Sequence, residues 1–290
     1  MFKRKRDKKV VLSRTVCLGQ FVWENLYSEE YEIINHCKNR IDYCLKINDK
    51  PDLVVDYDEV SSYVINQNAE GNIYRKNMLF AETKDIFKYT KTPMLIMDSF
   101  SELTDKLFIN KQNEKMFLFH YKDLIHDSDF DEKYECLGLL PIDEIKNYYN
   151  LFFERVINVY GKIPIIYMHF PMDFEVREEY QKRVCEILGA INELQKKYDN
   201  LISITADTVE ENLVDKNIYH FSQNTYYDIA KKIDSLNLGW HLNLNKDSFL
   251  YKYIISNSLF SKKMKLFITR IILNKRKRKY CRKIIKDMYL

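Results

Sequence analysis

The chain has 290 residues, of which 46% are apolar and 14% aromatic, so it is long enough to bury one large core. Only six glycines and five prolines occur, and no Gly- or Ser-rich linker marks a second domain. No stretch approaches the roughly 20 apolar residues of a membrane-spanning helix. The N-terminus does not resemble a signal peptide, and no cysteines form a CxxC pair. We therefore expect a cytoplasmic protein.

The charge is distributed unevenly along the chain. Residues 1–9 carry a net charge of +5 and residues 262–290 carry +11. Since the whole chain carries +4, the intervening residues 10–261 must carry −12. An acidic body with two basic ends excludes a protein that binds nucleic acid over its whole surface.

The spacing of apolar residues predicts strands and helices that alternate along the chain. Predicted strands lie at 10–12, 53–55, 94–97, 115–121, 163–168 and 201–205. Helical spacing covers 16–45, 98–107, 141–160, 177–198 and 226–233. Strand–helix alternation with short connections predicts an α/β fold with a mostly parallel sheet.

In an open parallel sheet, ligands bind at the carboxyl ends of the strands. Asp56 and Glu59 follow one predicted strand, and His169 follows another, where it would face the same crevice. Asp215 and His220 lie in the loop after the last strand. A carboxylate can fix the tautomer of an imidazole, so this pair is a candidate general base with its orienting acid. An exposed aspartate and a histidine at a helix start would give the same spacing.

Motifs for other chemistries are missing from the sequence. The remaining histidines have no metal-ligand spacing with cysteine or aspartate. There is no GxGxxG, no Walker loop and no HExxH. We expect neither a metal nor a cofactor.

Three segments resemble sequence motifs of a known family, and they occur along the chain in the same order. Residues 219–230 (YHFSQNTYYDIA) resemble the late His-containing block of SGNH-like (GDSL-type) proteins from bacterial capsule and surface-polysaccharide gene sets. Residues 53–59 (LVVDYDE) look like the second strand of these proteins with its acidic end. Residues 13–18 (SRTVCL) resemble an early segment in which an arginine precedes small hydroxyl residues. The resemblance covers residues 10–235.

The resemblance implies a flavodoxin-like three-layer sandwich and acyl-ester chemistry on sugars. The protein would be an esterase or O-acyltransferase acting on a surface polysaccharide or its lipid-linked precursor. His220 would be the base, Asp215 its partner and Ser13 the nucleophile. Substrate contacts are expected from four further residues: Arg14, Asp56, Glu59 and His169.

The sequence also departs from the family pattern. No Gly-Asp-Ser follows the first strand, and His220 lies five positions after Asp215 instead of the usual three. Two alternatives therefore stay open. One is a non-catalytic relative, with its first strand lost, that binds glycan or a partner protein. The other is a glycosyltransferase that uses Asp56, Asp58 and Glu59.

The C-terminal segment differs in composition from the rest of the chain. We divide the chain into a basic segment 1–9, an SGNH-like domain 10–240 and an extension 241–290. Residues 262–290 place apolar residues among basic ones, which predicts a basic amphipathic helix or helix pair. This tail would hold the protein at an anionic membrane surface, although a solvated charge run has the same composition. Nucleic acid is disfavoured, because no aromatic stacking platform accompanies the basic run.

Overall fold

The computed structural model describes residues 8–36, 39–65, 86–212 and 218–243. Asp215 and the predicted basic tail lie outside the described residues. The described strands are β1 (Lys9–Arg14), β2 (Leu26–Tyr27), β3 (Tyr31–Asn35), β4 (Leu95–Asp98), β5 (Asp105–Asn110), β6 (Met116–His120), β7 (Tyr134–Gly138), β8 (Ile165–Met168), β9 (Leu201–Ile204) and β10 (His241–Leu242). The described helices are α1 (Cys17–Trp23), α2 (Ile41–Asp49), α3 (Tyr57–Val60), α4 (Phe100–Thr104), α5 (Ser128–Lys133), α6 (Ile142–Tyr160), α7 (Glu178–Gln195) and α8 (Gln223–Ser235).

A five-stranded parallel sheet forms the centre of the fold, in the order β3-β1-β4-β8-β9. Every residue of β4 and β8 is buried, and so are the last four residues of β1. Central parallel strands are covered on both faces, which is why their sequences are continuous apolar runs. The α/β class with a mostly parallel sheet flanked by helices is confirmed, and the strand order is that of flavodoxin-like folds.

The first strand of this sheet is present. β1 pairs with β3 through Ser13↔Asn35 and with β4 through Ser13↔Ile96. It therefore occupies the inner position that the flavodoxin-like order gives to the first strand. The hypothesis that the first strand is lost is wrong.

The predicted strand at 53–55 is also wrong. Pro51–Leu53 form a 3₁₀ turn, with the proline at the first helical position, where its fixed φ suits a helical turn. Val54 then makes an isolated bridge to Met116, away from the five central strands. The second strand of the parallel sheet is β3, inside the region where we predicted helix. Its residues are only half-buried, so their apolar spacing did not distinguish strand from helix.

A second sheet replaces the end of the helix predicted over 98–107. The helix ends at Thr104, and β5 then pairs antiparallel with β6 and β7. Side chains of this sheet and its neighbouring turns form an aromatic cluster that includes Phe108, Phe117, Phe130 and Tyr134. Helix α4 lies inside the predicted helix, and all five of its residues are buried.

The two long helices α6 and α7 agree with the predictions. In α6 the apolar residues at helical spacing are the buried ones: Ile145, Tyr149, Phe152, Phe153 and Val156. The Tyr149 hydroxyl of α6 lies 2.5 Å from the Tyr167 hydroxyl of β8, and this hydrogen bond joins the helix to the strand. No helix in the described ranges is long and apolar enough to cross a membrane.

The chain divides into two compact units. The first comprises residues up to Gln20 together with Ser28–Thr205, and it contains both the parallel sheet and the antiparallel sheet. The second comprises Phe21–Tyr27 and the residues from Ala206 onward. In the second unit β2 pairs with β10, and the Trp23 and Trp240 rings lie 5.4 Å apart. Helix α8 buries Tyr226, Ile229, Ala230 and Ile233.

Candidate functional site

The strand order identifies one edge of the parallel sheet as the place for a ligand. In open α/β sheets, ligands bind outside the carboxyl ends of the strands, near the point where the order reverses. That reversal lies between β1 and β4. Polar residues stand at these ends: Ser13 near the end of β1, Asp98 at the end of β4 and His169 directly after β8.

Ser13 belongs to a closed hydrogen-bonded network at the end of β1. Its side chain is fully buried, and its Oγ lies 3.0 Å from Oγ1 of Thr15. The Thr15 backbone N–H donates to Oδ1 of Asn35 at 3.1 Å, and Nδ2 of Asn35 donates back to the Thr15 carbonyl at 3.0 Å. The hydroxyl proposed as nucleophile thus bonds to another hydroxyl inside this network.

Asp98 closes the end of β4 in a similar way. Its carboxylate accepts the backbone N–H of Val16 at 2.8 Å and that of Phe100 at 3.1 Å. Burial raises the pKa of Asp98 to about 6, although both N–H donors and Arg14 favour the charged form. This aspartate ties the start of α4 to the loop after β1.

Arg14 points into the core and forms an ion pair with Glu102. The arginine is 2% exposed, and its Nη1 also lies 3.4 Å from the Asp98 carbonyl oxygen. Burial alone would lower the pKa of Arg14, but the adjacent Glu102 carboxylate raises it above its usual range. Burial raises the pKa of Glu102, although Arg14 opposes this effect. Arg14 was expected to contact substrate; in the structure it anchors the buried helix α4.

His169 contacts a serine that the sequence analysis did not consider. Its Nε2 lies 2.7 Å from Oγ of Ser203, which belongs to β9. Ser203 pairs in register with Tyr167, two residues before His169, so all three side chains lie on one face of the sheet. Burial lowers the pKa of His169 to about 4, so its imidazole is neutral near pH 7.

The loop after His169 is held by its own contacts. Glu175 is buried and accepts from Nε and Nη2 of Arg177 at 2.8 and 2.5 Å. The Arg177 guanidinium lies over the Tyr180 ring, 3.8 Å from its centroid. At the other end of the loop, the Phe170 backbone N–H donates to Oγ of Ser99 at 3.0 Å. These contacts fix the backbone that follows His169.

Asp56 and Glu59 lie away from the carboxyl edge of the parallel sheet. Lys115 contacts Oδ2 of Asp56 at 3.5 Å and Oε1 of Glu59 at 3.1 Å. The Asp56 side chain is 80% exposed. Because the strand predicted to end at these acids is absent, the two carboxylates instead flank β6 of the antiparallel sheet.

His220 belongs to the second unit and lies just before α8. Its ring makes an edge contact with Phe21, with centroids 5.5 Å apart. Nearby, the backbone N–H of Phe221 donates to the Tyr226 hydroxyl at 2.9 Å. Asp215, the predicted orienting acid, lies outside the described residues, so the Asp215–His220 pair stays a prediction.

Sequence reasoning missed Asp98, Glu102 and Ser203. Asp98 had a usable signal, because it directly follows an apolar run of strand length, as His169 does. Glu102 had none, since a buried acid in a short helix looks like any surface acid. Ser203 sits inside the apolar strand LISI, and only the register with β8 brings it to His169.

A groove of about 660 Å³ runs along α6 and α7, and several of its charged groups are paired. Lys146 pairs with Glu193, and Lys197 pairs with Glu154 at 2.9 Å. Surface pairs of this kind contribute little to stability. Among the described residues, no three His, Cys, Asp or Glu side chains are grouped to hold a metal ion.

No protein-family model and no curated protein matches the chain. Among solved structures, the chain is similar to an acetyl xylan esterase from the rumen bacterium Butyrivibrio proteoclasticus, with 8% identity and a TM-score of 0.33. The match covers 80% of this chain and 64% of the esterase, so the chain spans less than two thirds of that protein's length. This similarity is weak, and neither the fold nor the site described above depends on it.

Proposed function

We propose that the protein is an ester hydrolase or O-acyltransferase with its site at the carboxyl edge of the parallel sheet. The observation that carries the proposal is the strand order. It places a hydroxyl (Ser13), a carboxyl (Asp98) and an imidazole (His169) at the ends of three neighbouring strands. A hydroxyl and an imidazole are the nucleophile and the base that acyl transfer through a covalent intermediate uses.

The substrate class comes from the sequence resemblance alone. The SGNH-like blocks suggest an acylated glycan, either a surface polysaccharide or its lipid-linked precursor. The acyl donor for a transferase reaction would be a second substrate. No resident cofactor is part of the proposal.

The test is acyl-ester turnover by the purified full-length protein. The substrates are p-nitrophenyl acetate and acetylated glycans, with acetate release as the readout and a glycan acceptor added to detect transfer. The control is the same protein unfolded in urea, because surface lysines and histidines also react with aryl esters. We expect the folded protein to exceed this control clearly. Equal rates on every substrate would refute the proposal.

A second candidate is a catalytically inactive module that binds glycan or a partner protein of polysaccharide assembly. The buried state of Ser13 and its bond to Thr15 favour it over catalysis by Ser13. It predicts glycan binding by calorimetry with no acetate release. We do not carry the glycosyltransferase alternative forward, because Asp56 and Glu59 pair with Lys115.

We further propose that residues 262–290 bind an anionic membrane surface, on the basis of their +11 charge. Each lysine or arginine close to an anionic leaflet contributes about 1 kcal/mol. Co-sedimentation with phosphatidylserine vesicles should disappear when these residues are deleted and weaken with added salt. Co-sedimentation that survives the deletion would reject the role of the tail.

A further inference from the structure

We propose that Ser203 and His169 are the nucleophile and general base of this site. The inference rests on the proposed acyl-transfer function and replaces Ser13 as the attacking group. The observation behind it is the 2.7 Å contact between Ser203 Oγ and His169 Nε2 at the carboxyl edge of the sheet.

The contact has the geometry that activation of a serine needs. A general base must lie within about 2.6–3.2 Å of the proton that it removes. When Nδ1 carries the ring proton, Nε2 accepts a hydrogen bond from the Ser203 hydroxyl. Both residues are held by strand backbone, because the His169 N–H donates to the Ile204 carbonyl at 2.9 Å. Groups held on rigid elements keep a reactive geometry better than groups on loops.

Ser13 has neither a base in contact with its hydroxyl nor exposure to solvent. It is fully buried, whereas Ser203 is partly exposed. The Ser13 hydroxyl bonds to the Thr15 hydroxyl, which is far too weak a base to take its proton. Of the three described serines near the ends of the parallel strands, Ser13, Ser99 and Ser203, Ser203 is the one in contact with a base.

His169 acts without a carboxylate partner in the described part of the chain, since burial is the one cause of its lowered pKa. Its neutral state needs no prior deprotonation at pH 7. A base with a pKa of about 4 is weak, however, so proton removal contributes less than it would near pH 7. We therefore expect slow turnover with a preference for esters that have good leaving groups.

The proposed step conserves atoms and protons. Ser203 Oγ forms a bond to the carbonyl carbon of the ester while its proton passes to His169 Nε2. The ester C–O bond then breaks, and the leaving oxygen takes the proton from His169. Water or a sugar hydroxyl next attacks the acyl-serine and gives its proton to His169. The bond to Ser203 Oγ breaks, and that oxygen takes the proton back.

The experiment compares variants of the full chain on p-nitrophenyl acetate. Ser203→Ala and His169→Gln should each lower kcat/KM by about 100-fold or more, the usual effect of losing a general base or nucleophile. His169→Gln preserves a hydrogen-bonding side chain at that position. Ser235→Ala, which removes an exposed hydroxyl bonded to the Lys232 carbonyl, is the matched control and should not change the rate. Melting temperatures confirm that each variant is folded.

Two further readouts separate chemistry from structure. Wild-type kcat/KM, followed at the isosbestic wavelength of the product, should fall below about pH 4, where His169 becomes protonated. Ser203→Cys should retain part of the activity, because the thiol can still attack the ester.

The outcomes distinguish this inference from the proposed function. An active wild type that loses its activity with Ser13→Ala or His220→Ala, but keeps it with Ser203→Ala, overturns the Ser203–His169 assignment and leaves the function standing. A wild type without activity on any acyl ester overturns the proposed function and this inference with it.

Discussion

The two halves of the carboxyl edge differ in how their polar groups are used. At the ends of β1 and β4, the side chains of Ser13, Arg14 and Asp98 are all buried. The Ser13 hydroxyl bonds to the Thr15 hydroxyl, Arg14 donates to the Asp98 carbonyl, and the Asp98 carboxylate accepts the Val16 N–H. At the ends of β8 and β9, His169 and Ser203 bond to each other. Hydrogen-bonded networks of buried polar groups fix a structure, whereas a base in contact with a hydroxyl is chemically competent. The first half therefore holds the fold, and the second half is where we place the chemistry.

Breaking the Arg14–Glu102 pair should give the largest effect on stability. Glu102→Gln leaves a buried guanidinium without its counter-charge. This change should lower the free energy of unfolding by about 4 kcal/mol. The free energy of unfolding in urea measures the loss. The double variant Arg14→Met/Glu102→Leu should recover most of it, because it buries no unpaired charge. A single variant as stable as wild type would mean that the pair does not hold the β1 end.

Asp98 in the first half and His169 in the second should make the free energy of unfolding change with pH in opposite directions. The folded pKa of Asp98 is about 6 against 3.8, so the native state keeps a proton that the unfolded state loses, and stability falls as pH rises through this window. The folded pKa of His169 is about 4 against 6.5, so stability rises with pH between those values. In the wild type the two effects oppose each other between about pH 4 and pH 6.

The variant His169→Gln separates these contributions. Without the histidine, stability should fall by roughly 3 kcal/mol between pH 4 and pH 6, because a shift of one pKa unit corresponds to about 1.4 kcal/mol. The measurement is the free energy of unfolding across this range, with the wild type as the matched control. If the two profiles have the same slope, His169 is not held neutral by burial.

Ser13→Ala should have a small effect confined to stability. The variant loses one hydrogen bond between buried hydroxyls, which contributes about 1 kcal/mol. Thr15 keeps its contacts with Asn35, so the network remains. Ester turnover should not change, as assayed with p-nitrophenyl acetate. A large loss of kcat at unchanged stability would return Ser13 to the position of nucleophile.

The smallest effect is expected at the acids that the sequence analysis favoured. Asp56→Asn removes an exposed carboxylate that lies 3.5 Å from Lys115, and surface pairs of this kind contribute little. We expect no measurable change in melting temperature or in ester turnover. A clear rise in KM would show that Asp56 contacts substrate after all.

The sequence predicted the elements whose pattern is set by burial alone. The strands at β1, β4, β8 and β9 were recognisable because buried parallel strands are continuous apolar runs. Helices α6 and α7 were recognisable by their one-sided apolar spacing. The segment 53–55 had the same apolar run as a strand, but Pro51 starts a turn there and the valines join the antiparallel sheet.

The candidate site was harder to predict because it depends on pairing between strands. His169 was identified from its place after an apolar run, yet nothing local points to Ser203. The two meet because β8 and β9 pair with Tyr167 opposite Ser203, and a shift of one residue would turn the serine to the other face. Arg14 was expected to contact substrate because residues 13–18 resemble a family segment; in the structure its guanidinium pairs with Glu102 in the core, a partner that nothing local predicts.

Covalent labelling tests the central claim most directly. A fluorophosphonate probe reacts with serines that are activated by a base, and peptide mapping by mass spectrometry identifies the modified residue. We predict modification of Ser203 in the folded wild type and none in His169→Gln. Labelling of Ser13, or labelling of Ser203 that persists in His169→Gln, would contradict the assignment of the chemistry to the ends of β8 and β9.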